Sequence, residues 1–140
     1  MQVTFFGLQF FYDDLIEYPK GHYLLKEGET QNCIYVLKKG AVKILKNSQE
    51  IALCDQRGDM FGEVAALTGE ECSSTVRLAE NSEFFVIQDA DQFLVQNAST
   101  TLFIAKMLAR RLASTTRSHA YTKMEVAELA RDKPQNHSPM

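Results

Sequence analysis

From Leu15 to Ile87 no apolar run grows long before a turn signal cuts it. Leu15-Ile16-Glu17-Tyr18 stops at Pro19-Lys20-Gly21, and Tyr23-Leu24-Leu25 stops at Glu27-Gly28-Glu29. Cys33-Ile34-Tyr35-Val36-Leu37 ends at Lys39-Gly40, and Ala41-Val42-Lys43-Ile44-Leu45 ends at Lys46-Asn47-Ser48-Gln49. Ile51-Ala52-Leu53-Cys54 follows, and after Glu80-Asn81-Ser82 comes Glu83-Phe84-Phe85-Val86-Ile87. Proline and glycine interrupt backbone ladders and favour turn dihedrals, so this punctuation excludes long helices and predicts short antiparallel strands. Two strand-like runs around Gly40 predict a hairpin. In its second arm Ala41, Lys43 and Leu45 face one way, Val42 and Ile44 the other. Strands at about ten-residue spacing predict a sandwich, a barrel or a β-roll.

After Ile87 the pattern reverses. Asp89-Ala90-Asp91-Gln92-Phe93-Leu94 has acids suited to a helix start. A long helix is expected next, with Ser99 or Thr100 as its N-cap. From Thr101 to Arg131 there is neither proline nor glycine. Leu108, Leu112, Thr115, His119, Thr122, Val126 and Leu129 recur at spacings of four and three, one seam along a helix with a polar centre. A helix of about thirty residues extends roughly 45 Å, more than a small barrel covers, so part of it is expected to pair with a second helix in a homodimer. Pro134, Asn136 and Pro139 mark an expected disordered tail over 133–140. At the other end, residues 1–14 carry Phe5, Phe6, Phe10 and Phe11. Such short runs do not choose between helix and strand. Exposing four phenylalanines is costly, so the segment is expected to cover one end of the core. The resulting organisation is an N-terminal apolar segment (1–14), a β-rich body (15–98), a C-terminal helix (99–132) and the tail.

The 140 residues suffice for one core. A formal charge of −3 makes this domain a poor candidate for nucleic acid. No apolar stretch approaches a bilayer span, and the start Met1-Gln2-Val3-Thr4 lacks a signal peptide's basic residues, so no membrane partner and a cytoplasmic location are expected. Cys33, Cys54 and Cys72 are odd in number and unpaired in spacing, which fits reduced, packed thiols rather than disulfides or zinc. His22, His119 and His137 have no His or Cys partner at ligand spacing. Neither a nucleophile–base set nor a metal set emerges, so no catalytic residue, metal or cofactor is expected, and the chain is not expected to be an enzyme.

The chemistry concentrates between Gly58 and Arg77. Gly58-Asp59-Met60-Phe61-Gly62-Glu63 leads into Val64-Ala65-Ala66-Leu67, then Glu70-Glu71-Cys72 and Ser73-Ser74-Thr75-Val76-Arg77. This reads as a turn, a short helix and a strand. Glycines four apart allow a tight bend and close approach to a ligand. Unpaired N–H groups at the helix start suit a phosphate, and the N–H and O–H groups of Ser73, Ser74 and Thr75 extend the cradle. Glu63 would repel a phosphate unless it faced another group, such as a sugar hydroxyl; its plainer role is a carboxylate near a helix start.

Tyr18-Pro19-Lys20-Gly21, Glu27-Gly28-Glu29, Ile34-Tyr35-Val36-Leu37 with Gly40, and Gly58 to Glu63 fall in the order and spacing of the cyclic nucleotide-binding domain. Over about residues 15 to 117 the chain resembles the sensor domain of the bacterial catabolite activator protein and the regulatory domains of cyclic-nucleotide-dependent kinases and channels. The resemblance implies a mainly β fold: an eight-stranded antiparallel β-roll, jelly-roll-like, with flanking helices and a long C-terminal helix serving as lid and dimer element. It implies a phosphate-binding cassette at 58–76 and cAMP or cGMP as ligand. Glu63 would take the ribose 2′-hydroxyl. Backbone N–H groups of Gly62, Glu63, Val64 and Ala65, with Ser73 and Ser74, would hold the phosphate. Ile44 and Phe61 would line the pocket, and Thr115 and Thr116 fall where base-contacting hydroxyls lie. An effector domain or protein would receive the signal.

One position departs from the family. Members that bind nucleotide carry a phosphate-pairing arginine where this chain has Cys72. An arginine offers a charge-assisted, two-pronged bond that a thiol lacks, a loss of about 1.5–3 kcal/mol. Arg77, five residues on, faces the other side of its strand. Arg110 or Arg111 of the long helix is the alternative source of charge. The site therefore binds weakly, uses a helix arginine, takes a different ligand, or is vestigial as part of a ligand-free dimerisation scaffold. A Ser73 hydroxyl able to meet a guanine amino group does not choose between cGMP and cAMP.

Overall fold

The computed structural model describes residues 1–5 and 7–129, with side chains through 114. It divides into two compact units, Met1–Thr101 and a second beginning at Leu102. The first holds two four-stranded sheets whose strand pairs are antiparallel. One sheet runs β3 (Asp14–Tyr18), β10 (Ser82–Ile87), β5 (Ile34–Lys39), β8 (Met60–Phe61). The other runs β4 (Tyr23–Leu25), β9 (Thr75–Leu78), β6 (Val42–Lys46), β7 (Gln49–Cys54). The chain passes from sheet to sheet at almost every turn, which is what frequent Gly-containing breaks permit. These eight strands are the expected roll.

Inward positions of both sheets meet in one core. Leu24, Leu25, Leu37, Val42, Phe61, Ala65, Cys72, Val76, Leu78, Phe84 and Val86 form a buried cluster, with Ile16, Tyr18, Tyr35, Ile44 and Cys54 packed against it. Val42 and Ile44 thus share the inward face, as their alternation predicts. The hairpin expected around Gly40 does not form: β5 pairs with β10 and β8, β6 with β7 and β9, and Gly40, at φ +124°, turns the chain from one sheet into the other. A Cβ there would overlap Ser82 Oγ. That hydroxyl accepts from the Ala41 N–H at 3.1 Å and donates to the Glu80 carbonyl at 2.9 Å, so the close approach closes the strand corner.

The N-terminal segment, ambiguous by pattern, is a hairpin of β1 (Gln2–Phe5) and β2 (Leu8–Phe11). Phe5 and Phe10 are buried and meet Phe85 of β10 edge-on, with ring centroids 5.7 and 6.2 Å away. Phe6 lies outside the described residues.

Three helices follow the same local logic: α1 (Glu63–Thr68), α2 (Ala90–Gln96) and α3 (Ala98–Leu129). The long helix starts earlier than expected, so Ser99 and Thr100 sit in its first turn rather than capping it. Thr100 Oγ1 accepts from the Phe11 N–H at 2.7 Å and sits 3.2 Å from the Phe11 carbonyl, which fastens the hairpin to the start of α3. The helical N–H that begins the ladder is Thr101, bonded to the Asn97 carbonyl at 3.0 Å. Within the second unit, the described backbone is α3 up to Leu129, and Leu112 is 58 % exposed. The side chains of Thr115, Thr116 and the rest of the seam lie outside what is described, as does the expected tail at 133–140. Among the described residues no helix is long and apolar enough to cross a membrane.

Candidate functional site

The stretch singled out by sequence forms one continuous feature, though it contains a strand the reading missed. Between the turn and the helix, β8 pairs with β5 at Tyr35–Phe61 and Val36–Met60. The turn before it is closed by its own residues. The Gln56 N–H donates to the Asp59 carboxylate at 3.1 Å, and the Asp59 N–H donates to the Gln56 carbonyl at 3.0 Å. Both strands of this corner bond Leu37: Gly58 N–H to its carbonyl and its N–H to the Asp59 carbonyl, each 2.8 Å.

Gly62 then starts α1 in the left-handed region, at φ 84°. A Cβ there would come within 2.8 Å of Gln31 Nε2 and 2.9 Å of the Cys33 carbonyl oxygen. The Gln31 amide fills that space. Its Nε2 donates to the Gly62 carbonyl at 3.0 Å, and its Oε1 accepts from the Cys33 N–H at 2.7 Å. Gly69 closes α1, also left-handed, with its N–H on the Ala65 carbonyl. The sequence reading missed Gln31 because its partners are in another strand corner.

The predicted site residues separate by burial and by unit. Phe61, Ala65 and Cys72 are buried in the interior cluster, and Ile44 packs against it. Glu63, the first residue of α1, is 3 % exposed. A carboxylate so buried needs partners, and among the described residues no buried side-chain polar atom lacks one. Val64, by contrast, is 54 % exposed, so only its backbone faces the helix start. Ser73 and Ser74 follow at the rim, in a bend before β9. Arg110 and Arg111 are exposed side chains of α3, in the second unit.

Cys72 is 7 % exposed and, like Cys33 and Cys54, forms no disulfide. Burial pushes its thiol up from the ordinary range, and the nearby Glu29 carboxylate adds to the push against a backbone hydrogen bond. The group is therefore a neutral thiol near neutral pH, without the charge of an arginine. Around it the backbone is sewn to the turn after β4. The Gly28 N–H donates to the Cys72 carbonyl and the Cys72 N–H to the Glu29 carbonyl, both at 2.8 Å. The Glu27 N–H donates to Thr75 Oγ1 at 3.0 Å. From the far end of β6, Lys46 Nζ donates to the Ser73 carbonyl at 2.7 Å and pairs with Glu27 at 3.9 Å. These groups border an open cleft of about 580 Å³ lined by Glu27, Gly28, Lys46, Gly69, Glu70, Glu71, Cys72 and Ser73. Glu27 and Lys46 had no signal in the sequence as site residues.

Arg77 behaves as its strand parity predicts. It is exposed, pairs across the sheet with Lys43 and Tyr23, and lies 5.6 Å from the Tyr23 ring centroid. Among the described residues no group of three or more His, Cys, Asp or Glu could hold a metal ion.

This arrangement has known counterparts. The chain is 28 % identical over 81 residues to human cGMP-dependent protein kinase 2, a match covering 54 % of this chain and 11 % of the kinase. It is 35 % identical over 65 residues to the cAMP-dependent protein kinase regulatory subunit of Emericella nidulans, covering 46 % of this chain and 16 % of that one. It thus spans only a small part of the relatives it matches. Among solved structures, the Thermus thermophilus catabolite activator protein superposes with a TM-score of 0.67 at 24 % identity, over 81 % of this chain and 56 % of that one. The cAMP-bound PfPKA-R superposes with a TM-score of 0.59 at 20 % identity, over 74 % of this chain and 35 % of that one. At these identities the superpositions establish the shared fold. The sequence pattern of the cyclic nucleotide-binding domain matches residues 15–95, more than half of the chain, and the chain belongs to that family.

Proposed function

We propose that this domain is a regulatory sensor that binds cAMP or cGMP within the β-roll and relays occupancy through α3, without catalysis of its own. The observation that carries the reading is the first half of the cassette. Gly62 keeps a left-handed bend, and Glu63 is held buried at the first turn of α1. A buried acceptor beside an N–H-rich helix start suits a ligand with both a hydroxyl and a phosphate. Ile44 and Phe61 supply apolar walls. Phosphate recognition is weakened or altered, because Cys72 brings no charge. In this reading α3 is lid and dimer element, Arg110, Arg111, Thr115 and Thr116 are the residues it would offer a ligand, and reduced thiols fit a cytoplasmic setting. A ligand shifts the helix only if it binds one arrangement better than the other.

Calorimetric titration with each nucleotide tests this directly. Cys72→Arg is expected to tighten binding about ten- to hundredfold, and Glu63→Ala to weaken it by a similar factor. No heat and no rise in melting temperature with either nucleotide, even in Cys72→Arg, would sink the reading.

A second reading has its own support. Phe61, Ala65 and Cys72 are packed into the apolar cluster. A roll filled this way also suits a ligand-free scaffold that dimerises through the seam of α3, where Leu112 is exposed. Light scattering separates the two: the scaffold is a dimer indifferent to nucleotide.

A further inference from the structure

We propose that Lys46 supplies the cation that the cassette lacks at Cys72, so that the cyclic phosphate is met by a lysine ammonium carried on β6. The inference rests on the nucleotide-sensor reading above and names the residue that would complete its phosphate subsite.

Strand parity supplies the first argument. Val42 and Ile44 of β6 point into the interior cluster. Alternation puts Lys46, the last residue of the strand, on that same face. The strand register shift near this end leaves Ile51 of β7 unpaired, so β6 itself stays regular. Lys46 therefore extends the row that includes the predicted pocket residue Ile44, at the mouth of the roll.

Geometry supplies the second. Lys46 Nζ lies 2.7 Å from the carbonyl oxygen of Ser73, the residue directly after Cys72. It borders the same cleft as Cys72 and Ser73. A positive charge thus already stands at the backbone where the family's arginine would be rooted. It arrives from a neighbouring strand instead of from the cassette.

Availability supplies the third. The Lys46 side chain is 49 % exposed, and its ionic partner Glu27 is 3.9 Å away. An exposed pair at that length is weak and easily exchanged. A lysine has four rotatable carbons and three donors, so moving from the Ser73 carbonyl to a phosphate oxygen needs only side-chain torsions. Arg77, the first arginine after the cassette, is turned away onto the Tyr23 ring.

The same cleft carries Glu27, Glu70 and Glu71, which oppose an anion. An incoming phosphate must therefore compete with Glu27 for the ammonium. This predicts a salt-sensitive site in which removing the Glu27 charge helps. Glu27→Gln keeps an oxygen for the Asn47 N–H, which Glu27 Oε1 now accepts at 3.1 Å.

The experiment is calorimetric titration of the full chain with cAMP and cGMP, in wild type, Lys46→Met, Lys46→Arg, Glu27→Gln, Cys72→Arg and the Cys72→Arg/Lys46→Met double variant. Thermal melts confirm that each folds. Lys46→Met is expected to weaken binding about ten- to hundredfold, the worth of one charged hydrogen bond. Lys46→Arg should retain binding and Glu27→Gln should tighten it. With an arginine at position 72, loss of Lys46 should cost less than about threefold, because the two cations do the same work. A folded Lys46→Met that binds like wild type overturns the proposal and leaves the sensor reading intact. So does a wild type that binds nothing while Cys72→Arg binds. If neither binds, both the lysine assignment and the sensor reading fall.

Discussion

From Gln56 to Ala66 the chain depends on its own turn and on left-handed glycines as well as on bonds from Leu37 and Gln31, while from Cys72 to Thr75 it is held by other turns alone. In the first half, the Gln56–Asp59 turn closes on itself and β8 joins the ladder of β5. Gly62 and Gly69 set both ends of α1. In the second half, Gly28 and Glu29 bond the Cys72 backbone, Thr75 receives the Glu27 N–H, and Lys46 holds the Ser73 carbonyl. A segment bent through left-handed backbone needs particular residues, above all glycine. A segment shaped from outside tolerates a new side chain, because its path is set by backbone bonds that any residue makes. The residue at position 72 can therefore vary within the same fold, whereas a side chain at Gly62 strains it.

The sharpest way to break this contrast is to add one methyl group at each end of α1. Gly62→Ala places a Cβ against Gln31 Nε2 and the Cys33 carbonyl while forcing a left-handed alanine. Strain and overpacking together are expected to cost about 2–4 kcal/mol. Gly69→Ala meets nothing within 4 Å, so only its left-handed φ of +76° counts, about 1 kcal/mol. Urea denaturation of both variants measures the difference. Equal losses would show that the packing around Gly62 does not hold the first half.

Removing one of the borrowed bonds tests the second half. Thr75→Val keeps the shape of the side chain and deletes the oxygen that accepts from Glu27. The expected loss is about 0.5–1.5 kcal/mol, since the Glu27 N–H is left part-buried and short of a partner. The exchange-protection of the Glu27 amide should fall with it. An unchanged amide would mean that the Gly28 and Glu29 bonds alone secure this end.

The same contrast explains what the sequence made legible. Strands β3 to β7 and β10 were readable because composition and a nearby turn agree at each. The β1–β2 hairpin was not, because four-residue apolar runs around Gly7 carry neither period. The two-residue β8 was hidden inside a turn, where only its pairing with β5 reveals it. The start of α3 was misplaced because Thr100, a good cap by residue type, spends its hydroxyl on Phe11. In the site, Gly62 and Glu63 stand within one short motif and could be read. Gln31 and Lys46 could not. Their partners lie 31 and 27 residues away, and no local pattern encodes such contacts.

The smallest expected effect is a pH dependence that separates the buried thiol from the rest of the core. The folded state raises the Cys72 pKa, so it binds this proton more tightly than the unfolded chain does. The stabilisation is complete below the unfolded thiol value of about 8.5 and is lost as pH rises from there toward the folded value. Tyr35 is raised in the same sense, chiefly by burial and then by Cys33, and adds its own decline above the ordinary phenol value of about 10. Cys72→Val preserves an apolar side chain of similar size without a titrating group. Its denaturation midpoint should stay flat between about pH 8.5 and 10, while wild type falls and both fall above that range. Parallel curves for the two proteins would mean that the Cys72 proton is not held by the fold. The Cys72 position would then be open to water, and the division between a packed first half and a borrowed second half would have to be redrawn there.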